Sequence, residues 1–585
     1  PKLLYAYMKD RQQIKESIRS MRNEKGECIT DRREIAEILN RQFNSVFSTD
    51  QGDLLPKFEK RMLTEWEPDV DKMFELENIS KRLEKLDGAK AMGRDKVSSM
   101  ALKNCAAELG VALKIIFKQS FMDGETPEEW KRANVTPLFK KGDKLDASNY
   151  RPVSLTSICC KVMEGIVRDE MMDYLYTNKL ISKHQHGFVR RKACVTNLLA
   201  CQHRVTKCLN KGGSMDILYT DFSKAFDKVS HKKLLYKMES YGFGGNLIKW
   251  VKAFLSERKQ CVVLGGSESS WQNVTSSVPQ GSVLGPLLFV LYINDLPEGL
   301  SNNCEMYADD SKVMAENLKG VDNGLQTDID EIAEWCRVWD MCLNGAKCKV
   351  MYCGKNNPRQ KYYIKNQDGQ NIELSSTEIE KDLGVMISAD GKYTSQVNAA
   401  VRKASWILGR IRKTFKFFNI NLFKKLYPTF IRPHLEFASS VWNSLSEQEI
   451  KKIESIQHRA TGMVYELRGL TYYERLKKLG ITDLDSRRKR GDLIQIYKII
   501  NGLEEIGDID LRIGKVNIGR KHTHQIIREL CKANNPRYRF LTNRTATTWN
   551  MLPANVVGTR TVNSFKAALD SHMAAGRLRR SVYQP

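Results

Sequence analysis

The spacing of apolar and polar residues predicts helices at both ends of the chain and a mixed middle. Residues 29–40 open with a Thr and an Asp that can cap a helix and continue with apolar residues at helical spacing. Phe43 follows and is expected to pack on the next part of the chain. The polar segment 50–55 predicts a linker. From about residue 76 to 390 we expect helices mixed with short strands.

Two middle segments have strand patterns that lead into acidic residues. Residues from Met215 onward alternate between two faces, which predicts a half-buried strand that delivers Asp221 at its end. Residues 304–315 predict a strand, a turn and a second strand. A hairpin there places Asp309 and Asp310 at its exposed tip, facing the end that carries Asp221.

Beyond residue 395 the pattern becomes helical and strongly basic. Residues 401–425 contain eight Lys or Arg and no acid, and aromatic residues are interleaved with them, including Trp406, Phe415, Phe417 and Phe418. These rings can either pack against the rest of the protein or stack on nucleic-acid bases.

Length and charge narrow the class of protein. At 585 residues the chain is expected to form three or four domains, and its apolar content of 41% is enough for globular cores. The excess of 94 Lys and Arg over 69 Asp and Glu gives a formal charge of +25. Such a charge favours a polyanionic partner, and nucleic acid is the expected one, with an inert basic surface as the alternative.

Other sequence features exclude some classes. The longest apolar run, 286–293, is too short to span a membrane, so no membrane partner is expected. The 14 cysteines form no zinc-binding pattern, which favours reduced thiols in an intracellular protein. No signal peptide is visible and the chain opens at Pro1, so we expect a piece of a longer product.

Three carboxylates from two strands suit a polymerase. Asp309 and Asp310 are adjacent, and Asp221 comes from the other predicted strand. Magnesium prefers such hard oxygen ligands, and two ions can stabilise both the attacking and the leaving oxygen of a phosphoryl transfer. On its own, an Asp-Asp pair is more often a solvated turn.

Further motifs flank the acids. Gln280-Gly281 is predicted to open a helix, with Pro286 at an early helical position. The glycine has no side chain, so a template base or nucleotide can approach its backbone. The basic residues of 136–144 and 149–155 are candidates to clamp a triphosphate.

The ordered set of motifs resembles the reverse transcriptases of non-LTR (LINE-type) retrotransposons, most of all the jockey and chicken-repeat clades. The resemblance runs nearly end to end. Its motifs are NYRPVSL (149–155), QHGF (185–188), TNLL (196–199), YTDFSKAFDKV (219–229), PQGSVLGP (279–286), YADD (307–310) and KDLGV (381–385).

The resemblance implies the catalytic roles. Asp221 and Asp309 would ligate two Mg²⁺ ions, with Mn²⁺ as a substitute, and Asp310 would complete the acidic set. Lys140 and Arg151 would contact the triphosphate, although neighbouring Lys141 is hard to separate from Lys140.

It also implies how nucleotide and primer are held. Phe226 stands at the steric-gate position that excludes a ribose 2′-hydroxyl, with a plain core residue as the alternative. Lys347 either protonates the leaving pyrophosphate or is a surface lysine. Gln280 and Gly281 would shape the pocket around template and nucleotide. The primer grip would be the KDLGV hairpin around two residues, Leu383 and Gly384.

The implied fold class is α+β, a right-hand polymerase with an antiparallel sheet in the palm. Residues 1–75 would be a helical connector and 76–390 the fingers and palm. Residues 391–465 would form a helical thumb that tracks the template–primer backbone. A small, mainly helical C-terminal region, 466–585, has no assigned chemistry.

The implied partners are an RNA template, a DNA primer or target, and dNTPs, used in target-primed reverse transcription. Full-length relatives carry an endonuclease that residues 1–75 do not resemble, so that domain is expected elsewhere in the full-length protein. Location is expected to be nuclear with a cytoplasmic pool. The sequence departs from the family at Met92, Arg94, Lys96 and Ala193, where Pro, Pro, Gly and Ser are usual.

Three other functions use the same scaffold. A decayed or domesticated copy would bind RNA without polymerising, and the intact acids argue against it. An intron maturase would carry a maturase region after the thumb, which 466–585 does not resemble. An RNA virus replicase would show Gly before Asp-Asp and a polar residue in place of Phe226.

Overall fold

The computed structural model describes residues 18–48, 55–365, 369–507 and 524–574, with a few residues between 509 and 522. Helices and strands mix until the strand Val385–Ser388, the last among these residues, and helices follow. The protein is therefore a mixed helix-and-sheet protein, as predicted. The predicted linker at 50–55 lies almost wholly outside the described residues.

The strands are short, and most belong to two five-stranded sheets. Their bounds are Met21–Arg22, Cys28–Ile29, Arg132–Phe139, Tyr150–Leu155, Ser214–Thr220, Lys259–Leu264, Ser267–Glu268, Gln272–Asn273, Asn303–Tyr307, Asp310–Asn317, Lys349–Cys353, Tyr363–Lys365, Asn371–Glu373, Ser375–Ser376, Ile379–Asp382 and Val385–Ser388.

The helices pack around both sheets and make up the C-terminal part. Their bounds are Arg32–Asn44, Val70–Met73, Leu76–Glu84, Ser99–Asn104, Ala106–Asp123, Glu128–Lys131, Ile158–Thr177, Cys194–Asn210, His231–Ser240, Gly245–Leu255, Gly285–Ile293, Leu325–Val338, Thr394–Thr414, Ile420–Leu426, Arg432–Glu436, Ser439–Trp442, Glu447–Gly462, Tyr472–Leu479, Leu484–Ile500, Leu541–Asn550, Ala554–Val557 and Val562–Ala574.

The first sheet, called the central sheet here, has the strand Ser214–Thr220 (the central strand) in its middle. On one side it pairs with residues 310–317 of a hairpin, called the acidic hairpin (303–317), and on the other with Lys349–Cys353. These pairings are antiparallel, and only the edge strand Ser375–Ser376 is parallel to its neighbour.

Both faces of the central sheet are covered. Leu218 and Val313 pack on one face in a core that includes the helices 285–293 and 325–338. Met215 and Ile217 pack on the other face beneath the helix Cys194–Asn210. The prediction of a half-buried strand is therefore wrong, because a strand in the middle of a sheet with helices on both faces is buried on each side.

The second sheet is built around the strands Arg132–Phe139 and Lys259–Leu264, which run parallel. The helix Arg32–Asn44 packs across this sheet in a shared core. Its Asp31 accepts a hydrogen bond from the Glu34 N–H at 2.8 Å, which confirms the predicted helix start.

The C-terminal half has one continuous hydrophobic core. It joins the helix Thr394–Thr414 and the helix Glu447–Gly462 to side chains as far along the chain as Phe565, and it includes residues 198–200 of the 194–210 helix. A division at residue 465 stays a prediction, and the core crosses it. Among the described residues, no helix is both long and apolar enough to cross a membrane.

Candidate active site

The three predicted metal ligands lie at one end of the central sheet. Asp221 follows the last residue of the central strand, while Asp309 and Asp310 stand at the tip of the acidic hairpin. In the antiparallel register Ser311 lies opposite Thr220. Extending this register by one residue places Asp310 opposite Asp221. The structure therefore brings all three acids together.

The tip of the acidic hairpin is a tight turn. Tyr307 and Asp310 form the last strand pair, so only Ala308 and Asp309 lie between the strands. Ala308 has φ +55°, a left-handed conformation that costs a residue with a side chain about 1–2 kcal/mol. The predicted strand–turn–strand arrangement is present.

A buried glutamine, Gln185, stabilises this turn through a hydrogen bond to its backbone. Gln185 Oε1 accepts hydrogen bonds from the N–H of Ala308 at 2.9 Å and of Gly187 at 2.7 Å. Gly187 is so near that a Cβ there would lie 2.5 Å from the Ala308 nitrogen. The ring of Phe188 contacts that of Tyr307, with centroids 6.4 Å apart. The QHGF motif therefore supports the acidic turn.

A buried ion pair joins the acidic hairpin to the predicted primer grip. Lys312 Nζ donates to Asp382 Oδ2 at 2.7 Å and to Asn197 Oδ1 at 2.5 Å. Asp382 leads directly into a two-residue turn formed by Leu383 and Gly384, with φ +43° and +90°. The predicted grip is thus connected to the strand that begins at the acids.

Three cationic side chains surround the acids. Lys347 Nζ lies 2.8 Å from Asp221 Oδ2. Lys140 and Arg151 lie on the neighbouring hairpin of the second sheet. Burial lowers the pKa of Lys140, the charges of Arg151 and Lys347 lower it further, and Asp221 acts in the opposite direction. Lys347 therefore contacts the acidic end of the central strand directly, while Lys140 and Arg151 face it from the neighbouring hairpin and act on it through their charges.

The acids repel one another. Burial and the charge of Asp221 raise the pKa of the Asp309 carboxyl. Loss of hydration and the Asp309 charge raise the pKa of Asp310 to about 6, although the Asp310 side chain still meets solvent. Carboxylates that neighbour one another in this way favour a nearby positive charge.

The donor chemistry fits a hard divalent cation. Carboxylate oxygens are the ligands that Mg²⁺ prefers, and a cation relieves the repulsion between them. Throughout the ranges that the structure describes, no three His, Cys, Asp or Glu side chains converge closely enough to hold a metal ion. In that described part of the chain, Asp221, Asp309 and Asp310 therefore do not form a preformed metal site.

The loop that carries Gln280 packs on the segment after the central strand. The Val278 N–H donates to the Phe226 carbonyl at 3.1 Å, and Gln280 Nε2 donates to Asp227 Oδ1 at 2.8 Å. The half-buried ring of Phe226 stacks on Phe289 at 4.2 Å between centroids. The two segments predicted to contact the nucleotide are therefore bound to each other.

The helix predicted to open at Gln280-Gly281 begins later, at Gly285, and Pro286 lies in its first turn as predicted. Gly281 has φ +125°, which no helix contains, so that prediction is wrong. A Cβ at Gly281 would lie 2.4 Å from the Ser154 carbonyl oxygen. The close approach seen in the structure is to the protein's own strand, and approach by a nucleotide stays a prediction.

Sequence reasoning missed the residues that hold the site from behind. They contact backbone or polar groups distant in sequence, so local patterns carry no sign of them beyond the motifs that contain some of them. They are Gln185, Asn197, Asp227, Lys312 and Asp382, together with Glu164, which accepts hydrogen bonds from the Val283 and Leu284 N–H groups.

Comparison with known proteins agrees with this geometry. Residues 139–393 match the family described as reverse transcriptase (RNA-dependent DNA polymerase). These residues include every predicted site residue, so this part of the chain is a reverse transcriptase domain.

Relatives extend the match. The chain is 26% identical to the RNA-directed DNA polymerase from mobile element jockey of Drosophila funebris, over 69% of the chain and 45% of that protein. It is 24% identical to the probable RNA-directed DNA polymerase from transposon X-element of Drosophila melanogaster, over 67% and 44%. The chain thus spans less than half the length of these relatives. These matches support a reverse transcriptase of the non-LTR, LINE type.

Proposed function

We propose that this chain carries out RNA-directed DNA synthesis. The 3′-hydroxyl of a DNA primer attacks the α-phosphate of a dNTP paired with an RNA template, and pyrophosphate leaves. The observation that carries the proposal is the meeting of Asp221 with the acidic turn inside a reverse transcriptase domain. Lys140, Arg151 and Lys347 surround that point, which suits a reaction driven by positioning and charge stabilisation.

The acids would hold two divalent ions, Mg²⁺ with Mn²⁺ as a substitute. When bound, such ions stabilise the attacking and the leaving oxygens. Asp221 and Asp309 would ligate both and Asp310 would complete the set. Lys140 and Arg151, on the adjoining hairpin, would bind the triphosphate, with Arg151 able to contact two phosphate oxygens at once.

The remaining predicted residues would select and hold the substrates. Phe226 would exclude a ribose 2′-hydroxyl, and the Gln280-Gly281 loop bonded to the Phe226 segment would shape the base pocket. Lys347, beside Asp221, is in reach to give a proton to pyrophosphate. The turn of Leu383 and Gly384 would hold the primer end.

The architecture is that of a right-hand polymerase. The central sheet would be the palm and the second sheet part of the fingers, within 76–390. The helices of 391–465 would be the thumb, 1–75 a connector and 466–585 the C-terminal region. The position of the acids at the end of the central strand supports this assignment.

The full-length protein would use this activity in target-primed reverse transcription. The relatives are longer than the chain, which supports an additional endonuclease domain. That domain would nick DNA to supply the primer. Priming on chromosomal DNA requires a nuclear location, with a cytoplasmic pool from synthesis.

Primer extension tests the proposal. An RNA template with an annealed DNA primer is incubated with Mg²⁺ and either dNTPs or rNTPs, and the protein is compared with Asp309→Ala/Asp310→Ala. DNA product from the parent alone supports the proposal. A matched control, Asp322→Ala/Glu331→Ala, removes two exposed acids elsewhere and should extend normally. RNA binding without extension would mean a binding protein instead.

A further inference from the structure

The C-terminal region contacts the polymerase domain through a buried arginine. Arg537 is 1% exposed and forms a bidentate pair with Glu529, with Nε to Oε2 at 2.8 Å and Nη2 to Oε1 at 2.5 Å. Its remaining nitrogen, Nη1, donates to His203 Nδ1 at 3.1 Å and to Thr206 Oγ1 at 3.2 Å. His203 and Thr206 belong to the 194–210 helix.

The same helix is contacted near its start. The Glu505 N–H donates to the Arg191 carbonyl at 2.8 Å, and Arg191 Nη1 lies 3.4 Å from Glu505 Oε1. The ring of Phe540 packs on His203 at 5.6 Å between centroids. Two separate parts of the C-terminal region therefore hold the two ends of one helix.

That helix also reaches the acidic hairpin. Asn197 Nδ2 donates to the Met306 carbonyl at 3.2 Å, and Asn197 Oδ1 accepts from Lys312. Thr196 Oγ1 lies 2.7 Å from His186 Nδ1, and His186 Nε2 lies 3.0 Å from Glu305. The start of the helix thus forms hydrogen bonds with both strands of the acidic hairpin.

A cavity lies between the described C-terminal residues and part of the central sheet. It has a volume of about 430 Å³ and separates Asn534, Pro536 and Arg539 from Tyr219 and Lys312 in the sheet. Contacts of the 194–210 helix therefore link the C-terminal region to the acidic hairpin across this cavity.

We propose that Glu505, Arg537 and Phe540 clamp the 194–210 helix and thereby position the acidic hairpin, with Arg537 as the positioning residue. The C-terminal region then contributes to polymerase activity. The kinetic part of this inference rests on the proposed function, whereas the structural part does not.

The first measurement is hydrogen exchange of the full chain without substrate. In Arg537→Gln the loss of a buried, charged hydrogen-bond donor should speed exchange of amides in 196–210 and 304–310 by about tenfold. Lys532→Gln removes one exposed positive charge from the same segment and should leave both stretches unchanged. Faster exchange confined to 524–574 would overturn the inference.

The second measurement is primer extension by the same variants. Because the acids are displaced while the substrate surfaces stay intact, kcat should fall by about tenfold in Arg537→Gln, with KM for dNTP within about twofold. Arg537→Lys keeps the charge without the forked geometry and should recover only part of kcat. An equal fall in kcat in Lys532→Gln would contradict the clamp.

A variant on the palm side separates docking from folding of the C-terminal region. Thr206→Val removes one acceptor of Arg537 and leaves the Arg537–Glu529 pair intact, so it tests the clamp if Arg537→Gln does not fold. It should show the same exchange pattern with a smaller change. If the parent extends no primer, the proposed function fails, and exchange in 304–310 still decides the clamp.

Discussion

Single side chains differ in whether they face the substrates or hold the backbone. Phe226 is predicted to face the substrate, and its ring is also half-buried against Phe289 in the segment bonded to the Gln280 loop. If Phe226 is a steric gate, replacing it should change the preference for dNTP over rNTP. If it is only a core residue, that preference should stay the same.

Phe226→Val should lower discrimination against ribonucleotides. Removing the ring opens space beside the sugar, so the ratio of kcat/KM for dNTP over rNTP should fall about tenfold to hundredfold. Single-nucleotide extension measures the ratio. Phe289→Leu removes the stacking partner and should affect stability more than this ratio. A ratio unchanged in Phe226→Val would make Phe226 a core residue only.

Asp227 gives the protein a pH-dependent stability contribution. Burial raises its pKa to about 6, with the Gln280 amide acting in the opposite direction, against about 3.9 in the unfolded chain. The folded state binds more protons between these values, so this contribution is present below pH ~4 and is lost as the pH rises through 6.

The comparison is between the parent and Asp227→Asn in denaturant unfolding. Relative to the variant, the parent should lose about 2 kcal/mol of unfolding free energy between pH 4.5 and pH 7. Asp322→Asn, an exposed acid, is the matched control. A difference between parent and Asp227→Asn that stays constant over this range would contradict the assignment.

Among the elements, the predicted primer-grip hairpin has a left-handed turn packed against Phe437. Gly384 has φ +90°, and a Cβ there would lie 3.0 Å from Phe437 Cε1. Gly384→Ala should therefore lose about 1–3 kcal/mol of stability, from left-handed strain and crowding together, and should weaken primer use.

Gly320 provides the matched control for that prediction. It has φ +77°, and a Cβ there would meet no described residue beyond its chain neighbours within 4 Å. Gly320→Ala therefore reports strain alone, about 1 kcal/mol. Thermal unfolding and the KM for primer are the measurements. If the two variants behave alike, the contact with Phe437 has no role in the grip.

Some features of these elements could be predicted from the sequence and others could not. The acidic turn, the cap at Asp31 and the helix turn at Pro286 follow from local chemistry and were predicted. The burial of both faces of the central strand and the late start at Gly285 were not, because they depend on helices and strands distant in the sequence.

Two of the departures from the family, Lys96 and Ala193, fall at positions where the usual residue would have a local structural role. Lys96 stands where glycine is usual and has φ +55°, a conformation that favours glycine. Ala193 stands where serine is usual, at the N-cap of the 194–210 helix, and has no side chain to cap it. The Ala193 N–H instead donates to Thr196 Oγ1 at 2.8 Å.

At the scale of the molecule, charge and exposed rings coincide in 401–425. Trp406 is 52% exposed and Phe417 84%, whereas Phe418 is buried in the C-terminal core. Lys403 and Arg410 lie over the Trp406 ring. Of the two interpretations of these aromatics, packing holds for Phe418, while the exposed rings are accessible to a nucleic acid.

This surface should set the salt dependence of template–primer binding. Replacing Arg402, Arg412 and Lys413 with Gln should lower the slope of log K against log salt by up to ~0.9 for each phosphate that is no longer neutralised. A salt titration of binding measures it. Lys25, Lys57 and Lys355, also exposed, form a control triple of equal charge. Equal slopes for both triples would assign the binding to net charge alone.

The tight packing behind the acidic turn affects how copies of such a retrotransposon in a genome should be classified as active or inactive. A side chain at Gly187 would collide with the Ala308 backbone, so a copy can keep all three acids and still lose their alignment through one substitution more than a hundred residues upstream. Surveys that score intactness by the acidic motif alone will count such copies as competent. Residue 187 should instead be scored together with the three acids.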